Sequence, residues 1–349
     1  GALPQVRVDR IGVGVDTGRA GSCRGWDTPA VTDADLIVGK LDPNNFAGGS
    51  IPLHPHNAAK ALDTVIGNTL DMDATEAAFG LAEVVDENMA NAARVHAVEN
   101  GEDLSEYTMI AFGGAAPLHA ARLCEKLGVS RCLVPQGAGV GSAIGFLRAP
   151  FSFEANRSVF IRLSDFDPAK VKALFDDMSD EATRFVRSCD ANADILRDHK
   201  IYMRYAGQGW EIPIALTPEQ AANPDEATFL RLFETDYKAL FGRAVDGMEV
   251  EITVWSVNAY TAQEATTPLA DTGTLTSLAP TTTRPLFDPA LARTVDAAVI
   301  ARAELPTGHI AQGPAVVTED ETTVVVPASR EVLTHADGTL DVRTKETTQ

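Results

Sequence analysis

The sequence predicts an α/β fold with two domains. Over the first 150 residues, helix-type and strand-type segments alternate around two glycine-rich turns, and the later residues are richer in short strand-type segments. A length of 349 residues is typical of two domains. We therefore expect an α/β domain over residues 1–150, followed by a smaller, strand-rich α+β domain over residues 151–349.

The first domain is predicted to contain a long helix near its middle. Asp73 with Glu76 three residues later is an N-terminal capping pattern, and apolar residues recur at helical spacing from there to about Asn100. A shorter helix is expected over residues 56–66. The segment Ile11–Gly18 is typical of a strand that ends in a tight glycine turn.

A strand, a glycine turn and a helix are predicted to follow. The apolar run 107–112 is typical of a strand, while Pro117 and Gly128 are typical of the first turn and the C-cap of a helix. A further strand at residues 131–135 leads into a second glycine-rich turn at residues 137–145.

The second domain is predicted to combine two helices, over residues 167–189 and 225–240, with several strands. Residues 265–285 are rich in Thr, Pro and Ala and are predicted to be an exposed connection. The strand-type segments alternate apolar and polar residues or are rich in valine; they are 201–205, 210–216, 250–254, 297–300, 315–317 and 322–326.

Composition argues against several function classes. A net charge of −20 makes nucleic acid an unlikely partner, because phosphate binding needs basic surface. No apolar run approaches about 18 residues, so no membrane span is expected, and the first ten residues do not resemble a signal peptide. The four cysteines form no C-x-x-C pair and no zinc-type spacing with histidine, which indicates a reducing, cytoplasmic setting without a bound metal.

The most informative local feature is the segment F-G-G-A-A-P-L-H at residues 112–119. Gly113 and Gly114 allow a sharp turn and a close approach to a ligand, and the helix behind them presents N–H groups and a partial positive charge. The alternative is an ordinary turn, with His119 as a structural histidine rather than a catalytic base. The segment is neither a Walker A loop nor a dinucleotide fingerprint.

A second candidate lies in V-T-D-A-D-L at residues 31–36. Asp33 and Asp35 could bind a metal–phosphate group, or Thr32 or Asp33 could cap a helix that begins at Ala34. No set of residues for nucleophilic catalysis can be recognised from spacing, so the catalytic residues are left unassigned.

Several long motifs resemble the hydantoinase A/oxoprolinase family, which includes hydantoinases, 5-oxoprolinases and nucleotide-binding subunits of ketone carboxylases. They occur in the family's order along nearly the whole chain: T-D-A-D-L-I-V-G-K-L-D-P at residues 32–43, A-F-G-G-A-A-P-L-H-A at 111–120, R-Y-A-G-Q-G-W-E at 204–211, V-E-I at 250–252, G-P-A-V-V-T-E at 313–319 and T-T-V-V-V-P at 322–327.

The resemblance implies an actin/sugar-kinase-like ATPase lobe in residues 1–150. The implied adenosine-binding loop consists of Gly113, Gly114, Ala115 and Ala116 before Pro117. His119 and Asp33, which lie in the matched motifs, complete the candidate cofactor-binding set. The implied cofactors are ATP and Mg²⁺, the latter because phosphoryl transfer needs its negative charge offset.

The chain departs from the family pattern in three ways. The phosphate loops D-x-G-G-T-F-T-D and G-G-T-S are not present in full. The segment at residues 19–25 is shorter than its family counterpart and keeps only Cys23 and Gly25, and Ala116 replaces a glycine. The resemblance therefore implies that the phosphate-binding half either is carried by a companion chain or was removed from this one, and that a hydantoinase B-like subunit is a further partner.

Three functions are consistent with the sequence. The first is a subunit, or C-terminal part, of an ATP-dependent hydantoinase or oxoprolinase that phosphorylates a carbonyl or enolate oxygen of a small-molecule substrate. The second is the nucleotide-binding subunit of an ATP-dependent ketone carboxylase. The third is a structural subunit of such a complex that has lost nucleotide binding, as the absent phosphate loops indicate.

Overall fold

We describe the protein from a computed structural model. The structure describes residues 28–245, 247–263, 275–279 and 282–345. These residues form two compact units. The first unit joins the residues up to Leu147 with those from Leu275 on, and the second runs from Arg148 to Gln263. The predicted strand and turn at Ile11–Gly18, and the matched Cys23 and Gly25, lie outside the described residues.

The predicted helices of the described residues are present, with ends that differ by one or more residues. In chain order the helices are α1 (Val31–Ile37), α2 (Pro55–Leu62), α3 (Asn68–Leu70), α4 (Ala74–Asn100), α5 (Ala116–Leu127), α6 (Gly141–Arg148), α7 (Pro168–Cys189), α8 (Pro218–Ala222) and α9 (Glu226–Phe241). Of these, α3, α6 and α8 are additional helices that the sequence did not predict.

The capping pattern before α4 forms as predicted. The Asp73 carboxylate accepts hydrogen bonds from the backbone N–H groups of Thr75 and Glu76, each at 2.8 Å, and the Glu76 carboxylate accepts one from Asp73 N at 3.0 Å. These bonds use N–H groups that the first helical turn would leave unpaired, which stabilises a helix start by about 1 kcal/mol. Gly101 ends the helix in the left-handed conformation, at φ 71°.

The strands are more numerous and several are longer than the sequence predicts. They are β1 (Met109–Ile110), β2 (Arg131–Val134), β3 (Ser152–Arg157), β4 (Ile161–Arg162), β5 (Ile195–Tyr205), β6 (Ile212–Leu216), β7 (Val250–Thr261), β8 (Thr276–Ser277), β9 (Thr282–Asp288), β10 (Arg293–Ala301), β11 (His309–Gln312), β12 (Ala315–Thr318), β13 (Thr323–Val326), β14 (Arg330–Thr334) and β15 (Leu340–Thr344).

The first unit contains two sheets. One has the strand order β1-β2-β15-β14-β11-β8, and the other has the order β13-β12-β10-β9. Strand β2 pairs in parallel with β1 and antiparallel with β15, with Cys132 opposite Val342. The guanidinium of Arg131 reinforces this pairing, because its Nε lies 2.9 Å from both carboxylate oxygens of Asp341. The last strand of the chain is therefore part of the same sheet as β1 and β2.

This pairing corrects the predicted extent of the second domain. The second unit starts at Arg148, close to the predicted boundary, but the residues from Leu275 on belong to the first unit instead of completing a domain over 151–349. The physical reason is that β15 satisfies its backbone hydrogen bonds against β2, more than 200 residues earlier in the chain. Sequence periodicity reports local structure and contains no information on such pairing.

The predicted exposed connection at residues 265–285 is also partly wrong. Strand β8 and the start of β9 lie within it, and β9 pairs antiparallel with β10 over seven residues. The described residues of this range are exposed or half-buried, as predicted, and burial begins only beyond it, at Leu286. Threonine is a good strand former, so a Thr- and Pro-rich composition does not by itself distinguish an edge strand from a loop.

The second unit is built on one antiparallel sheet of order β3-β7-β5-β6, with β4 also paired to β7. Aromatic side chains fill the core that α7 and α9 cover. Phe175 meets Trp255 edge-on with ring centroids 5.4 Å apart, and Phe233 meets Tyr205 in the same way at 5.0 Å. The matched motif at residues 204–211 contributes here, because Gln208 Nε2 donates to the Tyr237 hydroxyl at 2.9 Å. This motif holds α9 on the sheet.

No helix among the described residues is long and apolar enough to cross a membrane.

The packing of α9 predicts that truncating a buried and an exposed side chain of this helix lowers the free energy of unfolding by different amounts. Phe233→Ala removes a fully buried ring and should destabilise the second unit by about 3–5 kcal/mol, since a cavity remains. Leu240→Ala changes a side chain that is 63% exposed, and we expect a change within about 0.5 kcal/mol. Chemical denaturation followed by tryptophan fluorescence measures both. Equal losses of stability would contradict this assignment of the core.

Candidate functional site

Helix α1 begins three residues earlier than the sequence predicts, and its N-cap is Ala30 rather than Thr32 or Asp33. Asp33 is the third helical residue, and its carboxylate accepts a hydrogen bond from Ala30 N at 2.8 Å. This bond satisfies a backbone donor at the helix start. The buried Asp33 carboxylate therefore stabilises the helix, and it does not line the cavity described below.

Asp35 belongs instead to a buried cluster of four ionisable side chains, here called the charge cluster: Asp35, Lys40, Asp86 and His119. Lys40 Nζ lies 2.8 Å from Asp35 Oδ1. His119 Nε2 lies 3.3 Å from Asp35 Oδ2, and His119 Nδ1 lies 2.8 Å from Asp86 Oδ1. Both ring nitrogens of His119 thus have carboxylate partners, which supports its interpretation as a structurally satisfied histidine.

Each member of the charge cluster comes from a different local element. Asp35 lies on α1, Asp86 near the middle of α4, and His119 in the first turns of α5. Lys40 follows Gly39, whose φ of 85° turns the chain sharply after α1. A side chain at Gly39 would also place its Cβ 2.2 Å from the carbonyl oxygen of Pro285, so the turn requires glycine.

Electrostatics favour the charged forms of His119 and Asp35. Burial, the largest single effect, lowers the pKa of His119, but the Asp35 and Asp86 carboxylates together outweigh it and raise that pKa to about 9. Burial raises the pKa of Asp35, yet Lys40 and His119 together hold it well below its usual range. With His119 protonated, two positive and two negative side chains offset one another. Buried charges need this pairing, because an isolated one is costly to remove from water.

The predicted glycine turn lies between β1 and α5. Gly113 has φ 114°, and its N–H donates to the Ala138 carbonyl of the second glycine-rich turn at 2.9 Å. The Gly114 carbonyl accepts a hydrogen bond from the Thr322 hydroxyl at 2.7 Å. The two glycine segments and the turn before β13 are therefore connected by hydrogen bonds.

The start of α5 offers fewer free donors than the sequence suggests. Pro117 in the first turn has no N–H, and the N–H of Leu118 donates to the Ala115 carbonyl at 3.1 Å. Helix N-termini bind anions through their unpaired N–H groups. Pro117 and Leu118 therefore offer no free N–H group to an anion, and any anion here would depend on those of Gly114, Ala115 and Ala116.

A cavity of about 820 Å³ opens beside the glycine turn. This volume is in the range of small-molecule sites in proteins. Its wall is mostly apolar and is formed by residues of α1, α4, β1 and α5 and of the segment after α1. The lining includes Val31, Leu41, Phe46, Val85, Met89, Met109, Ile110, Leu118 and Leu123, and the turn 318–323 forms a further part of the wall.

The predicted cofactor-binding residues are only partly brought together. Gly114, Ala115, Ala116 and His119 line the cavity. Gly113 shapes the turn and Pro117 is buried in the first turn of α5, but neither is part of the lining; Asp33 lies apart from it.

Sequence reasoning missed Lys40, Asp86 and the acidic turn Glu319–Glu321 as parts of this region. Lys40 and Glu319 lie in the matched motifs at residues 32–43 and 313–319, whereas Asp320 and Glu321 lie between that motif and the next one at 322–327. The only signal for Asp86 in the sequence is that it is a polar residue within the apolar pattern of α4. A carboxylate buried at such a position requires a charged partner.

Among the described residues, no group of three or more His, Cys, Asp or Glu side chains is placed to hold a metal ion. We therefore assign no Mg²⁺ ligands.

Comparison with known protein families gives two matches that together span most of the chain. Residues 2–155 match the family model described as Hydantoinase/oxoprolinase, and residues 167–343 match the Hydantoinase/oxoprolinase C-terminal domain. An uncharacterised protein of Methanocaldococcus jannaschii is 29% identical over 92% of this chain and 45% of its own length. The caprolactamase subunit alpha of Pseudomonas jessenii is 27% identical over 87% of this chain and 44% of its own length.

Solved structures of similar fold are consistent with these matches. The nucleotide-free structure of acetone carboxylase aligns with a TM-score of 0.77 at 22% identity, covering 94% of this chain and 48% of that one. The ATP-dependent caprolactamase of Pseudomonas jessenii aligns with a TM-score of 0.73 at 26% identity, covering 96% and 49%. The chain thus spans about half the length of the relatives that it matches.

The raised pKa of His119 predicts a pH-dependent stability. The group titrates near 6.5 when unfolded and near 9 when folded, so its contribution is complete below pH 6.5 and is lost as pH rises to 9. We expect the free energy of unfolding of the first unit to lose about 3 kcal/mol across that window. Chemical denaturation at a series of pH values measures it.

His119→Gln should remove this loss between neutral and alkaline pH, whereas the matched His56→Gln, at an exposed position on α2, should retain it. An identical pH profile in wild type and His119→Gln would show that His119 is not charged in the folded chain.

Proposed function

We propose that this chain, which belongs to the hydantoinase/oxoprolinase family, is the nucleotide-binding part of an ATP-dependent enzyme that activates a cyclic amide. The observation that carries the proposal is the apolar cavity lined by Gly114, Ala115 and Ala116 of the glycine turn. These residues belong to the motif at residues 111–120 that resembles the family's adenosine loop. Proteins named for ATP-dependent caprolactamase activity are among the relatives.

The cavity suits a flat heterocycle. The small side chains of Ala115 and Ala116 leave space at the start of α5. The side chains of Val85 and Met89 from α4 form part of the apolar wall of the cavity. Binding sites for planar ligands commonly combine such apolar walls with a few fixed polar groups. Backbone groups of the glycine turn and the charge cluster behind it would keep this geometry in place.

ATP would supply a phosphoryl group that activates the carbonyl or enolate oxygen of the substrate, with Mg²⁺ to offset charge. Within this chain the residues fit the nucleoside portion of ATP: they bind and orient it and exclude water from its apolar face. We assign no catalytic acid, base or nucleophile to the described residues. We propose that a companion bearing the phosphate-binding half completes the nucleotide site and that a hydantoinase B-like subunit completes the enzyme.

Native mass spectrometry of the complex purified from its source tests the partner proposal. We expect a companion with the phosphate loops and a larger hydantoinase B-like chain to co-purify with this chain in a fixed ratio. A species of 37.1 kDa alone would contradict the partner proposal.

A ketone carboxylase subunit is the second candidate, supported by the acetone carboxylase fold match. Bicarbonate separates the two activities, because carboxylation consumes it and amide hydrolysis does not. Amide-dependent phosphate release by the complex without bicarbonate would exclude the carboxylase, and strict dependence on bicarbonate with a ketone would exclude the amide hydrolase.

A substitution in the glycine turn tests nucleotide binding itself. In Gly114→Asp the new Cβ lies 3.3 Å from the carbonyl oxygen of Glu321, and a carboxylate is placed at the cavity wall. We expect substrate-dependent ATP turnover of the complex to fall by at least about tenfold, since an unpaired charge at an apolar wall is costly.

Gly80→Asp in α4 is the matched control, because a Cβ at Gly80 meets no atom within 4 Å; it should retain turnover. Unchanged turnover in a folded Gly114→Asp complex would contradict the proposal and favour a structural subunit that no longer binds nucleotide.

A further inference from the structure

Three sulfur atoms lie together in the core of the first unit, between α5 and the sheet that contains β1 and β2. Cys124 of α5 and Cys132 of β2 are 0% and 1% exposed. Cys124 Sγ lies 3.7 Å from Sδ of Met109 on β1, and Met109 is the register partner of Cys132. Because register partners project from the same face of a sheet, the side chains of Cys132 and Met109 are neighbours. The two thiols and the thioether therefore form one group in this core, here called the sulfur cluster.

A buried cation accompanies the sulfur cluster. Arg330 of β14 is 2% exposed, and its guanidinium donates to the carbonyl groups of Val129 and Ser130 at 2.8 and 3.0 Å. Its Nε is buried and has no hydrogen-bond partner, and no carboxylate pairs with this guanidinium among the described residues. A buried charge without a counter-charge is costly. The thiols of Cys124 and Cys132 lie close enough to Arg330 for its charge to favour their ionisation.

The two thiols of the sulfur cluster differ in acidity. The hydrogen bond with Cys132 lowers the pKa of the Cys124 thiol; burial opposes this effect, and the Arg330 guanidinium supports it. The same hydrogen bond raises the pKa of the Cys132 thiol, and burial raises it further. Since the thiolate is the nucleophilic form of cysteine, Cys124 is the more reactive thiol and Cys132 is the partner beside it.

The cavity gives a small oxidant a route to these thiols. Met109 is half-buried and lines the cavity, whereas Cys124, which it contacts, and Cys132 are not part of the lining. A methionine side chain is unbranched and flexible, so it is easily displaced. A molecule as small as hydrogen peroxide therefore reaches the thiols from the cavity when the Met109 side chain rotates.

We propose that Cys124 and Cys132 are a modification site, at which hydrogen peroxide oxidises the dithiol to an intramolecular disulfide, and that Arg330 is the positioning residue that keeps Cys124 reactive. The Cys124 thiolate attacks one peroxide oxygen, the O–O bond breaks, and the departing hydroxide takes up a proton to form water. Cys132 Sγ then attacks the sulfur of the resulting sulfenic acid. The S–S bond forms, the S–O bond breaks, and the hydroxyl leaves with the proton of the Cys132 thiol as a second water. The two thiols lose two electrons in total, and the peroxide gains them.

Peptide mapping of the full chain after brief treatment with hydrogen peroxide tests the site. Trypsin cleaves after Lys126 and Arg131, so the disulfide would link the peptides 123–126 and 132–148. The remaining thiols are alkylated in urea before digestion. We expect the linked pair as the main oxidised product, and its loss on treatment with dithiothreitol. Recovery of both peptides unlinked, whether alkylated or carrying sulfinic or sulfonic acids, would overturn the proposal.

The Cys132→Ser variant separates the two steps. Without the second thiol, oxidation should stop at the sulfenic acid of Cys124, which the trapping reagent dimedone labels. Cys189→Ser, which removes an exposed thiol on α7, is the matched control and should form the linked pair at the wild-type rate. Labelling of Cys189 in place of Cys124 would show that exposure selects the reactive thiol, contrary to the proposal.

The pH dependence of disulfide formation tests the role of Arg330. In the wild type the rate should reach half its maximum below about pH 8.5, the pKa of a free cysteine. Arg330→Met should move this midpoint upward and lower the rate near neutral pH by at least about tenfold, whereas Arg330→Lys retains the charge and should retain most of the rate. A wild-type midpoint at or above that of a free thiol would contradict the role of Arg330, even if Arg330→Met does not fold.

Discussion

The buried charge cluster of Asp35, Lys40, Asp86 and His119 is the constraint on which the rest of the first unit depends. It joins three helices and the sharp turn at Gly39 through ion pairs between side chains that are almost inaccessible to water. Removal of one partner leaves an uncompensated buried charge, which is far more costly than loss of an exposed pair. The positions of α1, α4 and α5 are thus fixed relative to one another, and with them the wall of the cavity.

The C-terminal strands add further contacts that hold the glycine segments of the first unit together. Strand β15 pairs with β2, and Arg131 binds Asp341 across that pairing, so β15 stabilises the strand that precedes the second glycine-rich turn. The turn between β12 and β13 then reaches the first glycine turn through the hydrogen bond from Thr322 to Gly114. Two motifs about 200 residues apart in the sequence therefore form one wall.

The character of this wall matters for function. A nucleotide has an apolar, planar part and a highly charged part, and the two need opposite surroundings. The described residues provide an apolar cavity with a negative rim. The apolar part of this lining is the basis on which we propose nucleoside binding.

The sequence by itself determined the local elements and the family. Capping at Asp73, proline in the first turn of α5 and glycine at its end predict helices correctly, because these signals act over a few residues. Long motifs such as that at residues 111–120 indicated the family, which the family models show. The role of Asp33 stayed open, since the same spacing is consistent with a helix cap and with a ligand.

Only the tertiary structure decided which distant residues meet. It placed the C-terminal strands in the first unit, brought Asp86 to His119 and put the turn 319–321 at the cavity. Strand pairing and burial of charge depend on partners that are far apart in the chain, and periodicity or capping cannot report them. The charge of the cavity depends on these contacts between distant residues, so it too was determined by the tertiary structure.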